Sequence, residues 1–163
     1  MNKGPHSKLR RAARLAAVQA LYQMDVGGSL STSVVKEFIE HRFGHEDEKD
    51  YIVADEEFFS DLVEGVVKFQ KEIDKSISDN LSEKWSLKRL DLTLRAIMRS
   101  AGYEIQRRPD VPALVIIDQY VSIAADFFEG KEPGFVNGAL DKMAKAVRGA
   151  EFGLIGGPSA SHG

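Results

Sequence analysis

At 163 residues, with 43% hydrophobic and 29% charged side chains, the chain has the make-up of one globular domain or two small subdomains sharing a core. Its net charge is −3, no window reaches the roughly 18 consecutive apolar residues of a membrane span, and Arg10, Arg11 and Arg14 interrupt any apolar signal core, so a cytoplasmic location is expected. The lack of cysteine excludes disulfides, thiolate metal sites and a cysteine nucleophile.

Every long periodic segment has the helical repeat and none alternates apolar with polar residues, which predicts an all-α fold. A flexible basic tail over residues 1–7 precedes a first helix over residues 8–26. Leu15, Val18, Leu21 and Tyr22 recur there at spacings of three and four, and Gly27-Gly28 ends it. Lys3, Lys8, Arg10, Arg11 and Arg14 occupy the first fourteen positions with no acid among them. A helix N-terminus already carries about +0.5 of an elementary charge, so each arginine there costs about 0.3–1 kcal/mol before screening. The pattern points to an external anion, and Gln19 and Tyr22 point to one with bases as well as phosphates. The cluster alone fits a solvated, frayed terminus equally well. Tyr22 continues the stripe of Leu15 and Val18, so a buried ring with an exposed hydroxyl is expected. Arg11 lies on that stripe one turn earlier, which predicts a helix whose first turns overhang the body.

Ser31 or Thr32 can cap a second helix that runs through Val34, Val35, Phe38 and Ile39 to about Phe43. A charged loop, 44–54, follows, and residues 37–64 hold eleven acids against Arg42 and Lys49. His41 and His45 have i, i+4 spacing, but Gly44 ends the helix between them and no metal is expected. A third helix begins near Asp55 and carries Phe58, Phe59, Leu62, Val66, Phe69 and Ile73. Asp74, Ile77 and Leu81 either continue it or form a separate turn, and the N-terminal subdomain is taken as 8–83.

The C-terminal subdomain, 84–148, opens at Trp85 with Ser86 as a cap. From Leu87 to about Arg107 a helical wheel gathers Leu90, Leu94, Ile97, Met98, Ala101 and Ile105 in one arc. Lys88, Arg95 and Arg99 fall within about 20° of a single opposite direction, a core face backed by a basic ridge. Across residues 84–108 seven bases face only Asp91 and Glu104, so positive charge collects at this segment and at the N-terminus, a polarity that steers a polyanion. Pro112 suits the first position of the next helix. Its two apolar stripes, Leu114, Ile117, Val121, Ala124 and Phe128 beside Ile116, Tyr120, Ile123 and Phe127, predict burial on both sides. Gly130, Pro133 and Gly134 break the chain before a last helix over 135–148, with Val136, Leu140, Met143 and Val147 toward the core. The tail 149–163 is expected to be disordered. No phosphate-cradling glycine loop or nucleophile turn is present, and the adjacent Glu56 and Glu57 diverge on a helix, so neither an enzyme nor a cofactor is expected.

Four blocks carry a resemblance: RRAARLAAVQALYQMD (10–25), FFSDLVEGV (58–66), RLDLTLRAIMRSAGYEI (89–105) followed by VP at 111–112, and FVNGALDKMA (135–144). In order and spacing they resemble the NusB family of bacterial transcription antitermination factors, over residues 8–147. The resemblance implies about seven helices in two stacked three-helix bundles. It implies binding to boxA-type single-stranded RNA of nascent ribosomal and phage transcripts jointly with NusE, a ribosomal protein. It also implies entry into the RNA polymerase elongation complex with NusA and NusG, where termination is suppressed. RNA is then held at Arg10, Arg11 and Arg14, with Tyr22 and Phe135 in the binding region, and NusE docks beside the helix that begins RLD.

Combined with the charge pattern, this gives Lys8, Arg10, Arg11, Arg14, Gln19, Tyr22, Arg95, Arg99, Lys131 and Phe135 as RNA-binding candidates. Lys88, Arg95 and Arg99 are the candidates for the NusE side. Phe135 is read as accessible, with a ring folded onto Ala139 as the other state. Ala12 stands where many relatives have a third arginine, Leu94 where they have an acid, and the 44–54 loop is longer and more acidic than the family pattern. The paired stripes of the Pro112 helix leave a homodimer open. An alternative is the NusB-like RNA-docking accessory domain found at the N-terminus of some ribosomal RNA methyltransferases, which a methyltransferase domain would have to follow.

Overall fold

The computed structural model describes residues 5–44, 52–82 and 84–154. Seven α-helices lie among them: α1 (Pro5–Gly27), α2 (Ser31–Glu37), α3 (Glu56–Lys68), α4 (Gln70–Asp79), α5 (Leu92–Arg107), α6 (Ala113–Phe127) and α7 (Glu132–Val147). No strand occurs among the described residues. The chain divides into two compact units, Met1–Gln70 and Lys71–Gly163, so α4 belongs almost wholly to the second unit, where the sequence had placed the division after residue 83. The side chains of α4 explain the shift, because Ile73 approaches Gly102 of α5 and Asp74 pairs with Arg99 of α5.

In the first unit α1 packs on α3, and α2 touches both. The buried stripe of α1 is made of small residues, Ala13, Ala16, Ala17 and Ala20 with Val18 and Leu21, which lets Phe58, Phe59, Leu62, Val63 and Val66 of α3 come close. Asp55 caps α3, its carboxylate accepting the Phe58 N–H at 3.0 Å. Leu30, and not Ser31 or Thr32, occupies the cap position of α2 and offers no side-chain oxygen; the Ser31 hydroxyl instead donates to Glu64 of α3 at 2.7 Å. Beyond Glu37 the helix widens into a π turn, Phe38–Arg42, closed by the Phe43 N–H on the Phe38 carbonyl at 2.9 Å. The wide turn delivers Phe43 to the rings of Phe38 and Phe59, at centroid distances of 6.2 and 4.9 Å. Phe43 also bridges to Ile52, so both ends of the acidic loop are tied together. Its middle, 45–51, lies outside the described residues, as do residues 1–4 of the predicted basic tail; α1 already begins at Pro5.

Helix α3 stops at Lys68 because Phe69 leaves helical geometry, which resolves α4 as a separate element. In the second unit α5, α6 and α7 pack on one another around Leu94, Ile97, Met98, Ile105, Ile116, Ile123, Leu140 and Met143. Ser86 makes no cap bond; Asp91 caps α5 instead, accepting from the N–H groups of Thr93 and Leu94. Pro112 sits at the cap position of α6, one residue before its start, and the Ala113 N–H is satisfied by Glu151 at 2.8 Å. Only one side and part of the other of α6 are buried, for Leu114, Val115 and Phe127 are exposed. Helix α7 starts three residues earlier than its apolar pattern indicates, at Glu132, and Val147 at its end is exposed. Residues 149–152 form a 3₁₀ turn closed by Gly153 at φ +76°, so this part of the expected tail is ordered, while 155–163 lie outside the described residues.

Two polar devices hold the second unit. Inside it, the Tyr120 hydroxyl donates to Glu104 at 2.6 Å and meets the Ser100 hydroxyl at 2.7 Å, with all three residues fully buried. At its edge, Arg148 donates to the carbonyls of Ile105 (2.9 Å), Glu104 (2.8 Å), Arg108 (2.8 Å) and Val111 (2.6 Å) and to the carboxylate of Glu151 (3.1 Å). The last carbonyls of a helix run short of intrahelical donors, and Arg148 supplies them at the end of α5. Tyr120→Phe is expected to cost about 1–3 kcal/mol, since Ser100 and Glu104 are each deprived of a buried hydrogen bond, seen as a lower urea midpoint at unchanged slope. Arg148→Ala is expected to cost about 2–4 kcal/mol in the same titration, and Arg148→Lys to recover less than half, because an ammonium cannot reproduce the planar fork.

Candidate nucleic-acid interface

In the first unit the cations of α1 meet the start of α3. Lys8 is exposed, and Arg10 and Arg11 are half-buried. The Arg10 guanidinium stacks 4.3 Å from the centroid of Phe58, and its Nε lies 3.6 Å from the Asp55 carboxylate. Arg14, one turn on, stands 5.0 Å from the same ring and is only 3% exposed. The first turns of α1 therefore do not overhang the body, since the Leu9 carbonyl also accepts the Asp55 N–H at 3.1 Å and anchors them. Arg10 keeps 24% of its side chain in solvent, where an ion pair such as the one with Asp55 contributes little. Arg14 backs this surface from beneath.

Further along α1, Gln19 is half-buried and Tyr22 is 43% exposed. The expectation of a buried Tyr22 ring fails because the packing stripe follows the alanines, not Leu15 and Tyr22. An exposed phenol ring is a surface on which an unstacked base can lie. Ala12 is half-buried.

In the second unit the predicted basic ridge is broken. Lys88 lies in a 3₁₀ turn, Leu87–Arg89, ahead of the Asp91 cap, and so is not on α5 with the other two. Arg99 is 11% exposed and engages both carboxylate oxygens of Asp74, at 2.9 and 3.0 Å. Arg95 is half-buried and Lys88 exposed. Leu94 is a core residue. Phe135 is half-buried, and its ring packs on Trp85, with centroids 4.5 Å apart and planes at 36°. The exposed Lys131 places its ammonium 5.9 Å from the Trp85 ring. Trp85 stands outside the candidates drawn from the sequence; the signal available was a lone tryptophan, the chain's only one, in a polar stretch between helices.

In the second unit the exposed Lys131 thus stands beside the half-buried Trp85 ring, and in the first unit the exposed Lys8 and the exposed Tyr22 ring lie fourteen residues apart on α1; cations and open rings are the two elements that hold single-stranded nucleic acid. Among the described residues no group of three or more histidine, aspartate or glutamate side chains could hold a metal ion; His45 lies outside them.

The model of the NusB family matches residues 11–145. The transcription antitermination protein NusB of Maricaulis maris is 52% identical over 147 residues, which cover 90% of this chain and 92% of that protein. Its counterpart in Caulobacter vibrioides is 52% identical over 140 residues, 85% of this chain and 94% of that one. The solved structure of T. maritima NusB superposes with a TM-score of 0.72 at 30% identity, covering 94% of this chain and 100% of that chain. A chain from the crystal structure of antitermination factors NusB and NusE in complex with double-stranded RNA gives a TM-score of 0.70 at 26% identity, over 83% of this chain and 96% of that chain. A match across nearly all the described helices, with half-identical relatives of almost the same extent, makes this chain a member of the NusB family.

Proposed function

We propose that the protein is a transcription antitermination factor that binds boxA-type single-stranded RNA of nascent ribosomal transcripts jointly with NusE. It then joins the RNA polymerase elongation complex with NusA and NusG. The observation that carries this reading is the likeness to a chain crystallised in a complex of NusB, NusE and RNA. The role is one of binding and not of catalysis, and it is exercised in the cytoplasm, where transcripts are made. Among the described residues no helix is long and apolar enough to cross a membrane.

On this reading Lys8, Arg10 and Arg11 attract the phosphates and Tyr22 and Gln19 meet bases, with Lys131 and Phe135 doing the same on the second unit. Arg14 and Arg99, held within the fold, brace these surfaces. Lys88 and Arg95 mark the side toward NusE. The exposed apolar residues at the start of α6, Leu114 at 66% and Val115 at 43%, favour a second reading in which a further copy of the chain docks there. Light scattering decides it: a homodimer on this face has twice the monomer mass, and Leu114→Glu returns it to monomer.

Retention of boxA RNA on a filter should be weak for the protein alone, tighter with NusE, and should fall steeply with salt as condensed counterions are released. Lys8→Glu combined with Arg10→Glu is expected to weaken RNA binding at least about tenfold and to lower the log–log salt slope by about 0.7 for every phosphate that is no longer neutralised. Unchanged binding by this variant, with native helix content by circular dichroism, overturns the assignment of the α1 surface.

A further inference from the structure

Between α4 and α5 the ring of Trp85 is half-buried, Phe135 covers part of it, and a pocket of about 380 Å³ opens beside it. The pocket is lined by Ser78, Leu81, Trp85, Ser86, Leu87 and Lys88. Its volume falls in the range of small-ligand clefts, about 300–1,000 Å³. The lining has the chemistry of one kind of guest. An indole and two leucines suit the faces of a flat ring. Two hydroxyls, each able to donate and accept, suit the polar edge of any base. Lys88 in the wall and Lys131 over the indole supply positive charge, and among the described residues no carboxylate lines the pocket to oppose an anion.

We propose that this pocket takes one nucleobase of the bound RNA, stacked on Trp85, with the adjoining phosphate drawn to Lys88 and Lys131. The proposal rests on the RNA-binding reading and deepens it, adding Trp85, Ser78 and Ser86 to the surface. Stacking on an aromatic ring is tolerant of base identity and changes affinity by about 5- to 150-fold per base. Phe135 then acts as the support that holds the indole in place.

Trp85 is the only tryptophan of the chain, so intrinsic fluorescence excited at the indole reports on this position alone. The full chain with NusE is titrated with a boxA oligoribonucleotide and, in parallel, with an oligomer of equal length carrying abasic sites, while binding is followed independently by anisotropy of a label on the RNA. Saturable quenching by the base-bearing RNA, far weaker quenching by the abasic one, and an affinity loss of about 5- to 150-fold in Trp85→Ala that Trp85→Phe largely recovers, support the proposal. RNA that binds without altering the fluorescence, and with equal affinity for Trp85→Ala, overturns it and leaves the RNA-binding reading standing. Quenching produced by NusE in the absence of RNA overturns it in favour of a protein contact. Failure of any RNA to bind removes the RNA-binding reading as well.

Discussion

The end of α5 has more carbonyl groups than the helix itself can satisfy, and a single side chain answers them. All five N–H donors of Arg148 find acceptors, four of them backbone oxygens between Glu104 and Val111 and the fifth the carboxylate of Glu151. Glu151 in turn satisfies the first N–H of α6. One guanidinium therefore joins the end of α5, the end of α7 and the start of α6. Helix α7 is 16 residues long, about 24 Å at 1.5 Å per residue. Fixing its far end fixes the direction of its near end, where Phe135 leans on Trp85. The aromatic surface is set by a hydrogen-bonded anchor a helix length away.

Arginine serves a different purpose in each place where the fold uses it. Arg148 is a connector, Arg99 closes a bidentate pair with Asp74, and Arg14 lies under the surface against Phe58. Arg10 stands between these cases, stacked on Phe58 and loosely drawn to Asp55. A cation of this last kind gains less from a phosphate than one in bulk water, because an acid is left behind when it turns outward. On the proposed RNA-binding reading, a surface assembled from such cations gains most when a second protein grips the same strand.

Six helical segments are legible in the sequence from their apolar repeats, while the break between α3 and α4 is not, because it falls at Phe69 with no glycine or proline to mark it. The sequence also made the family legible, through blocks that coincide with α1, α3, α5 and α7. What it hid were choices decided by tertiary packing. The start of α5 went to Asp91 over Ser86 because a carboxylate at that point reaches two backbone N–H groups. Ser31 gave up capping for a bond to Glu64, a residue 33 positions away. The alanines of α1, weak in any hydrophobic scale, proved to be its contact face, which turned Tyr22 outward. Arg99 looked like part of a basic ridge because its acid, Asp74, comes from another helix. Phe135 was recognised from its motif, whereas its neighbour Trp85 belongs to no block and was seen only in three dimensions.

The bridge between Phe43 and Ile52 separates the acidic segment from the rest of the first unit. Gly44 donates to the Ile52 carbonyl at 3.0 Å and Ile52 donates to the Arg42 carbonyl at 2.7 Å, so the two ends are pinned whatever lies between them. For a segment closed at its base, the entropy of closure grows only as the logarithm of its length, about 0.6 kcal/mol for each doubling. Evolution can lengthen, shorten or recharge this stretch with little effect on the helices on either side. It is the natural place for lineage-specific insertions in an otherwise tightly constrained framework.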